Sequence, residues 1–138
     1  MQGGALTFVT AALNNDRIAV CGPQVPFLSD FRHYFKVASW PGNEFVTYVE
    51  TEHKQTWEQV FTTLSYFDIK NLAPMIKCPL IMGVGLIDDV CPPHINFAAY
   101  NQVTTEKQYI VYPESGHGLP GDFYAAKMKF FRSHFGMN

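Results

Sequence analysis

The chain of 138 residues is short of charge, of cysteine and of long apolar runs. Only 16% of its residues are charged, ten basic against twelve acidic, for a formal net charge of −2. The lysines and arginines are scattered with no dense run, which excludes the electrostatic footprint of a nucleic-acid partner or an anionic membrane surface. The three cysteines, Cys21, Cys78 and Cys91, form no Cys-x-x-Cys. An odd, sparse count fits reduced thiols rather than a disulfide framework, and no zinc-ligand spacing is present. That points weakly to a reducing, cytoplasmic setting. No apolar run is long enough to span a bilayer, and no signal-peptide pattern opens the chain. If the start is not the native one, the missing signal says nothing about location. Repeats, low-complexity tracts and linkers are also absent. What remains is 47% hydrophobic content, enough for one core and one domain.

Gly4 to Leu13, "GALTFVTAAL", is apolar almost all round and predicts a buried helix, ended by Asn14 and Asn15. "IAVCG", bounded by Pro23, predicts a buried parallel strand. Residues 27–67 then hold about half of the chain's aromatics and both tryptophans. Ser29 or Asp30 suits a helix cap there, and Pro41-Gly42 suits a break. Trp57, Val60, Phe61 and Leu64 predict a second helix from near Thr51 to Leu64. An aromatic helical insertion of this kind is a lid, an oligomer contact or ordinary core packing.

A regular alternation follows. "CPLIMGVG" reads as a strand, "LIDDVCPP" as a loop and "HINFAAYNQV" as a helix with proline in its first turn. "KQYIVYP" reads as a strand, "ESGHGLPG" as a loop, and Phe123 to Phe135 as a final helix. Strands alternating with helices over short connections predict an α/β unit of about three parallel strands with flanking helices.

In such sheets functional groups collect beyond the carboxyl ends of the strands. Asp88 and Asp89 follow one strand and His117 follows the next. A carboxylate and an imidazole on neighbouring strand ends are what a hydroxyl nucleophile needs: the acid orients the imidazole, which takes the proton. Each residue alone also has a plain reading, Asp88 as a turn or cap and His117 as a loop residue. Their order, acid before histidine, is that of α/β-hydrolases, whose serine precedes both on a strand-to-helix elbow.

The residues carry a more specific resemblance. "QGGAL" at the start, "PFLSDFR" at Pro26 to Arg32, "TLSYFD" at Thr63 to Asp68 and "IKCPLIMGVGLIDDVCPP" at Ile76 to Pro93 resemble the acetyl xylan esterase and cephalosporin C deacetylase family. This is carbohydrate esterase family seven, and the chain looks like the C-terminal half of its α/β-hydrolase domain. "FAAYN" at Phe97 to Asn101 follows as that family would have it. The family's elbow reads Gly-x-Ser-Gln-Gly-Gly. The resemblance implies Asp88 and His117 as the triad acid and base, and the backbone N–H of Gln2 as an oxyanion-hole donor. It places Met1 where the nucleophilic serine belongs.

These residues imply a parent serine esterase that removes acetyl groups from xylan-derived sugars or similar small esters, without metal or organic cofactor. A thioether at Met1 cannot form an acyl-enzyme as serine does, so the chain is expected to be inactive alone. The expectation is a truncated C-terminal half whose exposed "RIAVCG" edge and aromatic insertion favour homo-oligomers. Gly118 departs from the family's usual Glu after the histidine, and "GHG" also suits a prolyl-oligopeptidase-like peptidase. His94 departs from the usual small hydroxyl residue and reads as a helix-start change. A non-catalytic interaction domain with a genuine Met1 is the remaining alternative. His33, His53 and His134 read as surface or packing residues, and the three cysteines as buried small hydrophobes.

Overall fold

The computed structural model of the chain describes residues 2–38, 40–52 and 55–137. Met1 and His53, both named above, lie outside the described residues.

Helix α1 (Gln2–Leu13) buries Gly4, Ala5, Phe8, Ala11 and Ala12. Small residues there let it lie close against its neighbours. Leu6 and Leu13 are exposed, so the helix is buried on one face and not all round. The Asn14 and Asn15 side chains donate to the Thr10, Ala12 and Met75 carbonyls and close its end.

The segment after α1 is not the strand that its composition predicts. It makes isolated parallel bridges from Cys21 to Leu80 and from Gln24 to Gly83. The backbone groups of Cys21, Pro23 and Val25 pair with residues 79–83, whereas Val20, Gly22 and Gln24 face the other way. Among the described residues no strand pairs with that outer edge. Pro23 lacks an N–H, and Val25 turns the backbone to a left-handed φ of 35°. One-sided pairing interrupted in this way leaves a two-stranded sheet rather than one of three.

Residues 27–67 carry three helices, α2 (Phe31–Val37), α3 (Gly42–Thr51) and α4 (Trp57–Ser65). The expected helix from Thr51 to Leu64 is corrected by these bounds. The Thr56 side chain accepts from Gln59 N–H and the Gln59 side chain accepts from Thr56 N–H, a reciprocal cap that starts α4 at Trp57. Asp30 precedes α2, yet its carboxylate does not cap it, because Lys70 and His33 already hold that carboxylate. The Asp68 carboxylate serves instead, accepting from the N–H groups of Asp30 and Phe31. The Phe35 ring sits among Phe31, Tyr34, Phe45, Trp57 and Phe61, so the insertion has its own aromatic centre.

Helix α5 (Ile69–Leu72) and a 3₁₀ turn (Ala73–Met75) lead into strand β1 (Leu80–Gly85). Helix α6 (Pro93–Tyr100), strand β2 (Lys107–Tyr112) and helix α7 (Gly121–His134) complete the chain. The strands are parallel, in register from Leu80 opposite Lys107 to Gly85 opposite Tyr112. Strand β1 is buried along its whole length. Leu80, Met82 and Val84 join Phe8, Ala12, Ala99 and Val103 on one face, and Ile81 meets Phe123 and Phe130 of α7 on the other. Full burial of a Leu, Ile, Val or Phe side chain stabilises by roughly 1.5–3 kcal/mol. Helices therefore cover both faces of a parallel pair, an α/β arrangement. All three cysteines are buried. His33 is exposed on α2, and His134 packs at the end of α7 against Phe130. Among the described residues, no helix is long and apolar enough to cross a membrane.

Candidate active site

The loops that leave β1 and β2 meet at one end of the sheet. Asp88 lies three residues beyond β1, with its side chain fully buried. Its Oδ1 accepts from the N–H groups of Val90 at 3.0 Å and Cys91 at 2.8 Å. A carboxylate gripped by the turn that follows it has its direction set by local backbone alone.

The second loop carries His117 over the end of β1. A Cβ on Gly85 would meet the Ser115 and Gly116 carbonyl oxygens, so that crossing needs glycine. Ile87 N–H donates to the Ser115 carbonyl at 3.1 Å and ties the two loops together. His117 Nδ1 then lies 3.1 Å from both Asp88 oxygens. With the N–H on Nδ1, the imidazole leaves Nε2 free of its proton, the form a general base requires. The His117 side chain is about a quarter exposed, so its outer edge reaches solvent.

That edge borders a cavity of about 380 Å³ whose apolar walls are Phe27, Leu28, Trp40 and Val90. Gln2, at the first turn of α1, and Cys91 line it as well. Burial pushes the Cys91 thiol above its usual pKa, and the Asp88 carboxylate adds to the effect. The first N–H groups of a helix lack intrahelical acceptors, so the Gln2 end of α1 offers donors at the cavity. Among the described residues, no serine or threonine hydroxyl is hydrogen-bonded to His117. Asp89, the neighbouring carboxylate, makes no hydrogen bond to His117, and His94 sits on the first turn of α6.

The wall residues and their support were not singled out in the sequence. Val25, Leu28 and Asp30 all have left-handed backbones, an unfavourable state for non-glycine residues that costs on the order of 1–3 kcal/mol each. The segment is held there by many bonds. Val25 N–H donates to Gly83, Asn96 Nδ2 donates to the Pro26 carbonyl at 3.0 Å, and Ile69 N–H donates to the Leu28 carbonyl at 2.9 Å. Asn96 is fully buried and also donates to the Cys91 carbonyl at 3.3 Å, so one side chain joins the cavity wall to the acid loop. No spacing rule marks an asparagine on α6 for that task. A larger groove of about 450 Å³ lies elsewhere, between α1, the Val20–Gly22 edge and α7, and holds no acid–base pair.

Comparison with known proteins bears on the family and the fold. The family model described as acetyl xylan esterase matches residues 1–135. The acetyl xylan esterase from Paenibacillus sp. R4 is 36% identical with a TM-score of 0.88, over 96% of this chain and 42% of that structure. Acetyl Xylan Esterase 1 from Thermoanaerobacterium sp. JW/SL YS485 is 38% identical with a TM-score of 0.88, over 97% of this chain and 43% of that one. Acetyl esterase Axe7A of Xylanibacter ruminicola is 32% identical over 118 residues, which are 84% of this chain and 25% of that protein. The chain thus spans less than half the length of each of these relatives. A puromycin hydrolase at 18% identity, with a TM-score of 0.76, shares the fold alone. With a family match along nearly its whole length and an α/β-hydrolase arrangement of its loops, this chain belongs to the acetyl xylan esterase family.

Proposed function

We propose that Asp88 and His117 are the acid and base of a serine-type acetyl-ester hydrolase. The observation that carries this reading is the 3.1 Å contact of His117 Nδ1 with the buried Asp88 carboxylate beside an apolar cavity. In the reaction, His117 Nε2 takes the proton of an attacking serine hydroxyl and later returns it to the leaving alcohol. Asp88 fixes the tautomer and stabilises the imidazolium. The Gln2 backbone N–H donates to the tetrahedral oxyanion. The cavity walls of Phe27, Leu28, Trp40 and Val90 suit a small apolar acyl group such as acetyl, on xylan-derived sugars or similar esters.

The resemblance puts the nucleophilic serine directly before Gln2, where this sequence has Met1, whose thioether cannot form an acyl-enzyme. Residues 27–67 act as a lid, because Trp40 and Leu28 of that segment wall the cavity. Tyr66 and Phe67, exposed on the same insertion, are where copies of the chain would meet. A monodisperse monomer by light scattering would count against that contact.

The test is a chimera in which the upstream part of the Paenibacillus sp. R4 esterase is joined to residues 2–138. It is expected to release acetate from acetylated xylo-oligosaccharides and to leave prolyl peptides uncut. His117→Gln lowers its kcat by about 10⁴-fold or more, as loss of a triad base does. Cleavage of prolyl peptides, or activity indifferent to His117, would refute the assignment. The unmodified chain gives no turnover of p-nitrophenyl acetate above background.

A further inference from the structure

We propose that Asp88, Cys91 and His117 bind one borderline-soft divalent cation, of the zinc or cadmium class, at the edge of the cavity. Among the described residues these three bring a carboxylate oxygen, a sulfur and an imidazole nitrogen within 4.8 Å of one another. A tetrahedral zinc with bonds of about 2.0–2.3 Å holds its donors roughly 3.3–3.8 Å apart. The carboxylate and imidazole, 3.1 Å apart, are a few tenths of an ångström closer than that, and closing the set from separations of up to 4.8 Å requires shifts of about 1.5 Å at most.

The parts differ in their freedom to make that shift. Asp88 and Cys91 come from one turn, three residues apart, and both are almost fully buried. His117 comes from the other loop, more exposed, between Gly116 and Gly118, and a Cβ on Gly118 would meet nothing within 4 Å. A fixed two-donor arm faces an adjustable third donor, and Cys91 and His117 both line the cavity. Asp88 Oδ1 is oriented by two backbone N–H groups, the kind of outer support that tunes metal ligands. Sulfur, nitrogen and oxygen together select zinc or cadmium over magnesium and calcium, which take oxygen donors. Binding releases one proton from the Cys91 thiol and replaces the hydrogen bond between Asp88 and His117. Metal binding and proton transfer by His117 therefore exclude each other, although binding does not depend on the pair being catalytic.

The experiment titrates the reduced chain with Cd²⁺ alone and follows the ultraviolet thiolate-to-metal charge-transfer band. One ion per chain is expected. Cys91→Ser abolishes the band, and a Cys21→Ser/Cys78→Ser double variant keeps it. His117→Gln, its fold checked by circular dichroism, keeps the band but weakens binding about tenfold or more. Three results would overturn the site: no band in the parent chain, a band lost in the double variant but kept in Cys91→Ser, or an affinity unchanged by His117→Gln.

Discussion

Gly4 of the opening "QGGAL" offers the sharpest quantitative test of how the N-terminal turn is built. On an exposed helix, replacing glycine by alanine stabilises by up to about 1 kcal/mol. Gly4 faces backbone instead. A Cβ there would collide with the Gln24 carbonyl oxygen and come 2.9 Å from the Pro26 Cα. That backbone cannot easily yield, since Val25 N–H is bonded to Gly83 and the Pro26 carbonyl to Asn96. Overpacking of this kind costs about 1–3 kcal/mol and occasionally more, against which the propensity gain is smaller. A net destabilisation of about 1–2 kcal/mol follows, or roughly 3–8 °C in Tm for a chain of this size. Gly3 is the matched control, because a Cβ there meets nothing within 4 Å. Gly3→Ala is therefore neutral or slightly stabilising. Urea unfolding followed by circular dichroism measures both variants. A midpoint for Gly4→Ala equal to or above that of Gly3→Ala would refute the close approach of α1 to the 24–26 segment.

Asp88→Asn should remove the low-field proton resonance of the His117 Nδ1–H in NMR spectra; a resonance that persists unchanged would deny the contact. Burial pushes the Asp30 carboxyl up, but hydrogen bonds and charge from Lys70 and His33 outweigh it and hold its pKa below the usual value. Its stabilising contribution is thus present above the unfolded pKa of about 4 and is lost as pH falls through the lower folded value. Asp30→Asn should flatten the acid limb of a stability-against-pH curve, and an unaltered limb would contradict this. The His134 pKa is raised, by its bond to the Phe130 carbonyl and by Glu106. Its contribution is present below the unfolded pKa of about 6.5 and is lost as pH rises through the higher folded value, so His134→Gln should matter more at pH 5.5 than at pH 8. Because Trp40 is largely exposed at the cavity, Trp40→Phe should remove most of the fluorescence that acrylamide quenches.

How much of this was legible in the sequence depends on the range of the interactions involved. The β1, α6, β2 and α7 alternation could be read because each element carries its own pattern and its own proline or glycine boundaries. Order and strand ends marked Asp88, Asp89 and His117, the family resemblance singled out Asp88, and the structure brings Asp88 and His117 together across 29 positions. "IAVCG" misled because composition reports burial but not whether both edges find partners. Helix α3 was missed because its sequence, "GNEFVTYVET", is rich in β-branched and polar residues, and only packing against α2 reveals it. The left-handed Val25, Leu28 and Asp30 could not be foreseen either. Their conformations are imposed by Gly83, Ile69 and Asp68, far along the chain.

The same distinction of range divides the site itself. Asp88 is oriented by the two N–H groups that follow it, and its partner arrives on the loop of the adjacent strand. The contact of His117 with Asp88 therefore needs little beyond β1, β2 and their loops. The Gln2 end of α1 is different, because its distance from the cavity depends on the packing of Phe8 and Ala12 in the core and on Gly4 against the 24–26 segment, with Asn96 behind it. Perturbing that contact should displace the donor end of α1 while leaving the bond between His117 and Asp88 intact. In Gly4→Ala, the His117 Nδ1–H resonance should survive under conditions where the amide signals of residues 2–5 shift. Joint loss of both would mean that the pair depends on α1 after all, and that the two halves of the site are one cooperative unit.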